Sequence, residues 1–374
     1  MKITFVLPSL SLTGGMRVLS IYTELLQKRG HKIFIVSTPP RQPTLIQQLR
    51  SLLRGRGWQP ARQKEQSHFD KVDVERRVLE TYRPITDLDV PDADIVMATW
   101  WETAEWVAKL SPRKGAKVYF LQHYEAFDYV PKGRVEATWR LPMHKIAVAE
   151  WLADKARNEY GDMSVSLVPP TVNTEQFYDP QSRSGQPRGK QSVPTVGMYY
   201  TTTPWKGCDI ALEAFSIAAK KIPNLRLVAF GSGEPPPPYL PLPAGTEYNK
   251  EPTQDQLKDF YSKCDAWLFS SRSEGFGLPI LEAMACGTPV IGTPAGAAPE
   301  LLAGGGGILV NPEDPKDMAK AIEQICQLSD AEWRAMSETA LETVINYTWE
   351  DATDLFEAAL YTARERQPQL TDKA

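Results

Sequence analysis

Two glutamates, Glu274 and Glu282, lie on either side of a glycine-rich loop in the segment SEGFGLPILEAMACGTPVIG. Pro279 indicates the first turn of a helix, because a helix tolerates a missing amide only there. Gly275 and Gly277 leave the backbone open to a ligand, and the amides of the first helical turn favour an anion. Two carboxylates would repel a bare phosphate, but they can accept hydrogen bonds from hydroxyl groups. The segment therefore predicts a site for a ligand that carries both a diphosphate and sugar hydroxyls.

The elements around this segment alternate between short apolar runs and amphipathic stretches. A first series contains the expected strands KITFVLP, HKIFIVST, ADIVMATW, AKVYFLQH and HKIAVAE, and a second series contains TVGMYY, LRLVAFG, AWLFSS and TPVIGT. Two such series predict an α/β protein with two doubly wound domains, whose ligands bind beyond the carboxyl ends of the strands. The segment SRSGQPRGKQSVP is rich in Gly, Pro and Ser, so we expect the domains to span residues 1–185 and 186–348.

Composition limits the class of protein. Apolar residues make up 42% of the 374 residues and charged residues 24%, which is typical of a soluble globular protein. The four cysteines have neither CxxC spacing nor histidine partners, so a reducing cytoplasm is the simplest setting. The start, MKITFVLPSLSLTGG, reads as a buried strand rather than a signal peptide, and no apolar stretch has the length of a membrane helix.

Basic residues are concentrated near the N-terminus. Residues 25–64 contain nine Lys and Arg and no acidic residue, although the net charge of the whole chain is −4. Within them, TLIQQLRSLLRGRG places Leu45, Ile46, Leu49, Leu52 and Leu53 at helical spacing, with Arg50, Arg54 and Arg56 beside them. Two interpretations stay open: segment 41–64 contacts an anionic membrane, or it forms an ordinary surface helix packed on the sheet with a solvated basic face. No motif for nucleic acid accompanies the patch, so no nucleic-acid partner is expected.

The pattern from Glu274 to Glu282 resembles the Glu-x7-Glu signature of retaining glycosyltransferases of family 4. The similarity extends to TGGMRVLSIYTELLQKRGHKI, VAEWLADKARNEYG, SLVPPTVNTEQF, GGGGILVNPEDPKDMAKAI and YTWEDA. It implies the GT-B fold, with two Rossmann-like domains that face a central cleft. It also implies that the donor nucleotide binds to residues 186–348, that the acceptor enters from residues 1–185, and that the last helix, 349–374, packs back on the N-terminal domain.

The resemblance also implies roles on the donor side. Glu274 is expected to contact the transferred sugar, Glu282 the ribose hydroxyls, and Lys206 the phosphates. Met198 stands where many relatives have an arginine of the phosphate clamp, and Arg272 is either its replacement or a solvated loop charge. The other donor-side candidates are Gly14 and Gly15 beside the diphosphate, the backbone of Gly275, Phe276, Gly277 and Leu278, and Tyr248, which either stacks on the base or belongs to the core.

On the acceptor side, His123 follows the strand KVYFLQ and matches a family histidine that reaches the donor sugar. With Lys206 and Glu274 it completes the expected catalytic set, although a histidine beside an apolar strand can also belong to the core. Trp100 and Trp101 end the strand DIVMATWW and either stack on a sugar or pack internally. The family favours departure and attack on the same face of the sugar. Glu125 and Asp128 are the nearby carboxylates to test as nucleophiles.

Two D-x-D triplets, Asp87-Leu-Asp89 and Asp92-Ala-Asp94, could suggest a divalent metal. In glycosyltransferases of the other major fold, such a triplet binds the metal and the diphosphate. Here both triplets precede a strand instead of ending one, so they are expected to be solvated loop acids. No metal and no other cofactor is therefore predicted.

Together with the residues above, the resemblance implies a retaining, metal-independent hexosyltransferase of the bacterial cytoplasm, with the inner face of the membrane as a peripheral location. From the commonest use in the family, its leading donor is expected to be UDP-glucose, and its acceptor a glycan or a lipid-linked molecule in polysaccharide or envelope synthesis. The alternatives are a nucleotide-sugar epimerase or hydrolase of the same fold and a non-catalytic nucleotide-sugar-binding protein. A Rossmann-type oxidoreductase is disfavoured, because no GxGxxG motif follows the first strand.

Overall fold

The computed structural model of the protein describes residues 1–53, 55, 57, 58, 60, 66–183, 188–231 and 236–366. The chain divides into two compact units. Unit 1 comprises Met1–Val168 and the described residues from Thr353 onward, and unit 2 comprises Pro169–Ala352. Each unit is built on one parallel β-sheet, so both predicted series of strands form sheets of the expected class.

Apolar runs form the inner strands of the unit 1 sheet, because the strands of a parallel sheet are buried on both faces. In the described part of the chain, these strands are β1 (Lys2–Leu7), β2 (Lys32–Ser37), β3 (Glu75–Val78), β4 (Ile95–Ala98), β5 (Ala116–Leu121), β6 (His144–Ala147) and β7 (Ser166–Leu167). Their order is β3-β2-β1-β4-β5-β6-β7. Since β1, β4 and β5 are neighbours and parallel, the loops that follow them open at one edge of the sheet.

Amphipathic segments form the helices of unit 1. The described α-helices before Val168 are α1 (Gly14–Lys28), α2 (Leu45–Leu53), α3 (Trp101–Lys109), α4 (Lys132–Thr138) and α5 (Glu150–Tyr160). In α1, Val18, Leu19, Tyr22 and Leu26 recur at helical spacing and are buried. The predicted glycines, Gly14 and Gly15, are the first two residues of this helix.

Helix α2 differs from the other helices in the side that it buries. Its polar residues Gln48 and Ser51 are buried. Its apolar residues are exposed, and the exposed fraction of each side chain is 73% for Leu45, 63% for Ile46, 57% for Leu49, 46% for Leu52 and 87% for Leu53. The apolar face of this helix therefore does not pack on the sheet, and the interpretation as an ordinary surface helix is wrong in this respect. Arg54, Arg56 and residues 59 and 61–64 of the basic segment lie outside the described residues.

The unit 2 sheet follows the second series of apolar runs. Its described strands are β8 (Thr195–Tyr200), β9 (Arg226–Gly231), β10 (Glu247–Lys250), β11 (Ala266–Phe269), β12 (Val290–Gly292) and β13 (Gly307–Leu309), in the order β10-β9-β8-β11-β12-β13. The described α-helices after Val168 are α6 (Pro180–Arg183), α7 (Cys208–Ala219), α8 (Leu257–Ser262), α9 (Leu278–Ala285), α10 (Ala298–Leu302), α11 (Pro315–Gln327), α12 (Asp330–Ile345) and α13 (Trp349–Arg366). Because β8 and β11 are parallel neighbours, the loops after them lie side by side.

The boundary between the units lies before the predicted one at residues 185 and 186. Residues from Pro169 onward already belong to unit 2: the Tyr347 hydroxyl donates to the Pro169 carbonyl at 3.0 Å, and Phe177 packs edge-on against Tyr261. The expected linker is anchored as well, because Arg188 is buried and donates to Thr288 Oγ1 at 2.7 Å. Residues 184–187 of that linker lie outside the described residues.

Helix α13 begins in unit 2 and continues in unit 1 from Thr353. Within unit 1, the ring of Phe356 stacks on Tyr22 with 4.2 Å between ring centroids and meets Phe120 edge-on at 5.3 Å. Glu357 accepts a hydrogen bond from His31 Nε2 at 2.8 Å. Residues 367–374 of the expected helix lie outside the described residues. No helix in the described ranges has the length and the apolar character needed to cross a membrane.

Candidate functional site

The loops after β8 and β11 form the donor-side part of the candidate site. Lys206 ends a single 3-10 turn after β8, and Gly207 follows with φ of 62°. A Cβ atom at Gly207 would lie 1.9 Å from the carbonyl oxygen of Ser270, so only glycine lets this loop approach the end of β11 so closely. The Arg272 amide also donates to the Trp205 carbonyl at 2.8 Å. The two loops are thus held together by their backbones.

This contact brings Lys206 and Glu274 into an ion pair. Lys206 Nζ lies 2.6 Å from Glu274 Oε1, and the Ser271 hydroxyl donates to the same oxygen at 2.6 Å. The exposed fraction of the side chain is 28% for Lys206 and 11% for Glu274. The pair is therefore partly open to solvent and can exchange its partners for groups of a ligand.

Helix α9 follows Glu274 and presents the glycine-rich loop. Gly275 and Phe276 are buried, and Gly277 precedes the first helical residue, Leu278, with φ of 110°. The Phe276 carbonyl accepts from the amide of Ala297 at 2.8 Å, which fixes the loop against the chain after β12. In the first turn of α9, Pro279 has no N–H and the Ile280 amide donates to the Gly277 carbonyl at 2.9 Å, so the amide of the first residue, Leu278, is the one that faces away from the helix.

The second predicted glutamate, Glu282, lies in α9 beyond its first turn. Its side chain is buried, and the Tyr261 hydroxyl from α8 donates to its Oε2 at 2.7 Å. The carboxylate therefore has a fixed orientation. Glu274 and Glu282 differ in environment: Glu274 pairs with a lysine at the sheet edge, whereas Glu282 is held by a tyrosine within the helical layer.

Arg272 does not have the freedom that a phosphate clamp needs. Its guanidinium binds Asp209 through two bonds of 2.9 and 2.8 Å and Glu313 through two bonds of 2.6 and 3.0 Å, and it also donates to the Pro204 carbonyl at 2.7 Å. These five bonds use all five N–H donors of the side chain. The two carboxylates raise the pKa of Arg272 further above its ordinary value. The expectation that Arg272 replaces the arginine missing at Met198 is therefore not supported by its contacts.

Two other donor-side residues lie in or against the core. Met198 is buried within β8. Tyr248, in edge strand β10, packs edge-on against Tyr200 at 5.7 Å between centroids, and its buried hydroxyl lies beside Gly231. Of the two interpretations of Tyr248, packing describes its observed contacts.

The candidates in unit 1, which are the donor-side glycines Gly14 and Gly15 and the acceptor-side residues, gather at the carboxyl edge of the sheet. Gly14 begins α1. A Cβ atom on Gly15 would lie 3.0 Å from Oε1 of Gln122, which follows β5 directly. The ring of the next residue, His123, donates from Nδ1 to the Tyr124 carbonyl at 2.8 Å, because a carbonyl can only accept. In the neutral ring this leaves Nε2 as the acceptor nitrogen.

Glu125 accepts hydrogen bonds from two segments at the same edge of the sheet. It is buried, accepts from the amide of Trp101 at 2.7 Å, and lies 3.3 Å from the Tyr119 hydroxyl, which donates to it. Burial raises the pKa of this carboxyl well above its ordinary value. Burial thus disfavours the ionised form that a nucleophile needs, and the bond from the Trp101 amide indicates that Glu125 positions the loop of His123 against α3.

The two tryptophans predicted to end a strand lie after β4, which ends at Ala98, and they have different surroundings. Trp101 is buried, and the guanidinium of Arg134 lies 4.8 Å from its ring centroid. Packing, rather than stacking on a sugar, describes this ring. Trp100 is half-buried at the start of α3, where its amide donates to Thr103 Oγ1 at 3.0 Å, and it remains the candidate for stacking.

We expect Glu125→Ala to destabilise the protein more than Glu125→Gln. Alanine leaves the Trp101 amide without its acceptor, at a cost of about 1–3 kcal/mol, whereas glutamine retains an oxygen there. The raised pKa of Glu125 also predicts a pH effect. The folded carboxyl keeps its proton where the unfolded chain releases it, so wild-type stability should fall as pH rises above the ordinary glutamate range.

Urea unfolding at about pH 5 and about pH 8 measures this effect. Between these values, the wild type should lose stability relative to Glu125→Gln, which has no proton to release. An identical pH dependence in both proteins would contradict a buried neutral carboxyl at this position.

The D-x-D triplets form internal contacts within unit 1. Asp87 accepts from the Ser111 amide at 2.9 Å, Asp89 from Arg83 through two bonds of 2.7 Å, Asp92 from Lys114 at 2.9 Å, and Asp94 from the Lys2 amide at 2.7 Å. Asp89 is buried, so the description of all four as solvated acids is wrong for that residue. Among the described residues, no group of three or more His, Cys, Asp or Glu side chains is arranged to hold a metal.

Sequence reasoning missed Ser271 and Tyr261, which hold the two glutamates. Ser271 precedes Glu274 by the same spacing as in a helix capping box, and this spacing is a signal that could have identified it. Tyr261 lies on the buried side of α8, where an aromatic residue is usually assigned to the core, so no local pattern distinguishes it.

The central part of the chain matches a known family model. Residues 190–327 match the model described as "Glycosyl transferases group 1". The chain is also 29% identical, over 226 residues, to D-inositol 3-phosphate glycosyltransferase from Nocardiopsis dassonvillei. That alignment covers 54% of this chain and 52% of the relative, so the chain spans about half the length of the curated relatives it matches.

Solved structures resemble the chain along nearly its whole length. Sucrose-phosphate synthase from Thermosynechococcus elongatus gives a TM-score of 0.70 at 19% identity and covers 96% of this chain and 98% of that one. Anabaena HepE in complex with UDP-glucose gives 0.69 at 18% identity and covers 98% and 100%. Likeness at these identities shows the fold. Two parallel-sheet Rossmann-like units and these neighbours define the GT-B fold.

Proposed function

We propose that the protein is a retaining glycosyltransferase of family 4 that moves a hexose from a nucleoside-diphosphate sugar to a glycan or lipid-linked acceptor. The observation that carries the proposal is the Lys206–Glu274 pair, 2.6 Å apart where the loops after β8 and β11 meet, directly before α9. A cation that can bind phosphate and a carboxylate that can accept hydrogen bonds from hydroxyl groups lie together directly before the start of α9. This combination suits a ligand in which a diphosphate is bonded to a sugar.

The pair also suggests how the donor enters the site. Without a ligand, Lys206 and Ser271 occupy Glu274. A diphosphate would bind Lys206 and the Leu278 amide at the start of α9, and the released carboxylate of Glu274 would accept hydrogen bonds from the transferred sugar. Glu282, already oriented by Tyr261, would receive the ribose hydroxyls. Since the donors of Arg272 are engaged elsewhere, Lys206 is the cation on which charge neutralisation of the leaving diphosphate depends.

UDP-glucose is the leading donor in this proposal. The support is the structural neighbour HepE, whose described complex contains UDP-glucose. The curated relatives are named for transfer to D-inositol 3-phosphate, so a phosphorylated cyclitol or sugar is a second class of acceptor to test. His123, whose Nδ1 is fixed by the Tyr124 carbonyl, and the half-buried Trp100 are the residues proposed to contact acceptor or sugar from unit 1.

Retention is proposed to proceed by departure and attack on the same face of the sugar. The alternative, a covalent intermediate, needs an ionised carboxylate, and burial disfavours Glu125 in that role because it raises the pKa of this carboxyl well above its ordinary value. Lys206 would stabilise the charge that develops on the leaving diphosphate, and Glu274 would bind the reacting sugar. Because Lys206 and the positive end of α9 supply the positive charge, we propose that no metal is required.

Incubation of the protein with a panel of nucleotide sugars, with and without candidate acceptors, tests this function. We expect acceptor-dependent release of nucleoside diphosphate, fastest with UDP-glucose, and undiminished release in EDTA. Acceptor-independent release of free sugar would indicate a hydrolase, and conversion of the donor alone would indicate an epimerase. Binding without turnover would indicate a non-catalytic protein. Complete loss of activity in EDTA with recovery in Mg²⁺ or Mn²⁺ would contradict the metal-independent mechanism.

A further inference from the structure

Helix α2 exposes an apolar stripe on the surface of unit 1. Its residues are Leu45, Ile46, Leu49, Leu52 and Leu53. The hydrophobic effect alone would favour the opposite rotation, because burial of apolar side chains stabilises a helix on a protein surface. The helix itself is well specified, since Thr44 and Gln47 cap its start through reciprocal bonds of 2.9 and 3.3 Å. An exposed apolar stripe of this kind marks an interaction surface.

The charges beside the stripe identify the kind of partner. Arg50 is exposed on α2, and at 100° per residue it lies to one side of the stripe. The sequence from 41 to 64 carries six Lys and Arg and no acidic residue. Trp58, soon after the helix, is exposed as well. Leucines that point outward, flanking cations and a nearby tryptophan are the features of a helix that lies in the interface of an anionic membrane.

A second copy of the chain fits this surface less well. A symmetric contact would place the same cations opposite each other, and like charges at an interface oppose association. An anionic lipid surface satisfies both the leucines and the cations. We propose that α2 docks on an anionic lipid surface, with its apolar stripe in the headgroup region. The proposal does not rest on the donor chemistry.

Flotation with lipid vesicles tests this docking in the absence of any nucleotide sugar. The wild type should float with vesicles of phosphatidylcholine that contain about 30% phosphatidylglycerol, and it should float much less with phosphatidylcholine alone. The double variant Leu49→Glu/Leu53→Glu should lower the bound fraction by at least about tenfold. Higher salt should weaken binding, because the attraction of the cations is screened.

Leu88→Glu/Met163→Glu is the matched control. Leu88 and Met163 are also in unit 1 and are 90% and 78% exposed, so this double variant adds the same two negative charges outside α2 and should leave vesicle binding unchanged. Thermal unfolding and release of UDP from UDP-glucose should be the same in all three proteins, which separates membrane docking from folding and from donor chemistry.

Failure of the wild type to bind anionic vesicles would overturn the proposal. Equal binding by the double variant would also overturn it, as would a dimer of the wild type that the double variant abolishes without any vesicle binding.

Discussion

Replacement of Lys206 by alanine is expected to lower the turnover number by roughly one to three orders of magnitude, which corresponds to about 1.4–4 kcal/mol of transition-state stabilisation. Two effects combine in this variant. The leaving diphosphate loses its cation, and Glu274, which lies 2.6 Å from Lys206 Nζ, becomes an unpaired negative charge beside it. Arg272 cannot compensate, because Asp209, Glu313 and a carbonyl engage its donors.

Steady-state kinetics with a saturating donor measure this effect, and Lys221→Ala is the matched control. Lys221 forms a 2.8 Å pair with Glu323 on the surface of the same unit. Its replacement should leave turnover unchanged, as exposed pairs contribute little. Turnover close to normal in Lys206→Ala would mean that another group neutralises the diphosphate.

Replacement of the two glutamates is expected to have different effects on ligand binding and on turnover. Glu282→Ala should weaken the binding of free UDP and of the donor alike, by about tenfold to a hundredfold, because both ligands carry the ribose. Glu274→Ala should leave UDP affinity close to normal, since the change also frees Lys206 for the phosphates. Glu274→Ala should instead lower the turnover number by about a hundredfold or more, because the interaction of Glu274 with the sugar strengthens as charge develops on the reacting sugar.

Calorimetric titration of both variants with UDP and with the donor, together with their turnover numbers, tests this division. Tyr261→Phe is a useful control, because it removes the hydroxyl that orients Glu282 and leaves the carboxylate in place. It should weaken UDP binding less than Glu282→Ala does. Equal losses of UDP affinity in the two glutamate variants would show that the division is wrong.

The inner strands of both sheets could be predicted from sequence, because a strand buried on both faces reads as an apolar run. The strands that the pattern did not identify lie at sheet edges. β3 and β10 have the sequences ERRV and EYNK, and an edge strand with exposed side chains carries no apolar alternation. The rotation of α2 was also beyond prediction, because periodicity identifies an apolar face but not the surface that it meets.

At the candidate site, spacing identified the residues that lie after strands. The sequence placed Lys206 and Glu274 on separate loops, and the adjacency of β8 and β11 brings them together. What could not be predicted are contacts between distant segments. Arg272 binds Glu313, and Trp101 binds Glu125, and no local pattern contains such pairs.

The division of α13 between the units has a consequence for biosynthesis. The strands of unit 1 belong to the first part of the chain, but Phe356, which fills the space beside Tyr22 and Phe120, belongs to the last helix. A ribosome that has completed Val168 has therefore produced a sheet whose hydrophobic core still lacks an aromatic ring. This gap in the core of the nascent unit 1 closes only after all of unit 2 has been translated. During that interval it exposes apolar surface of the kind that chaperones bind.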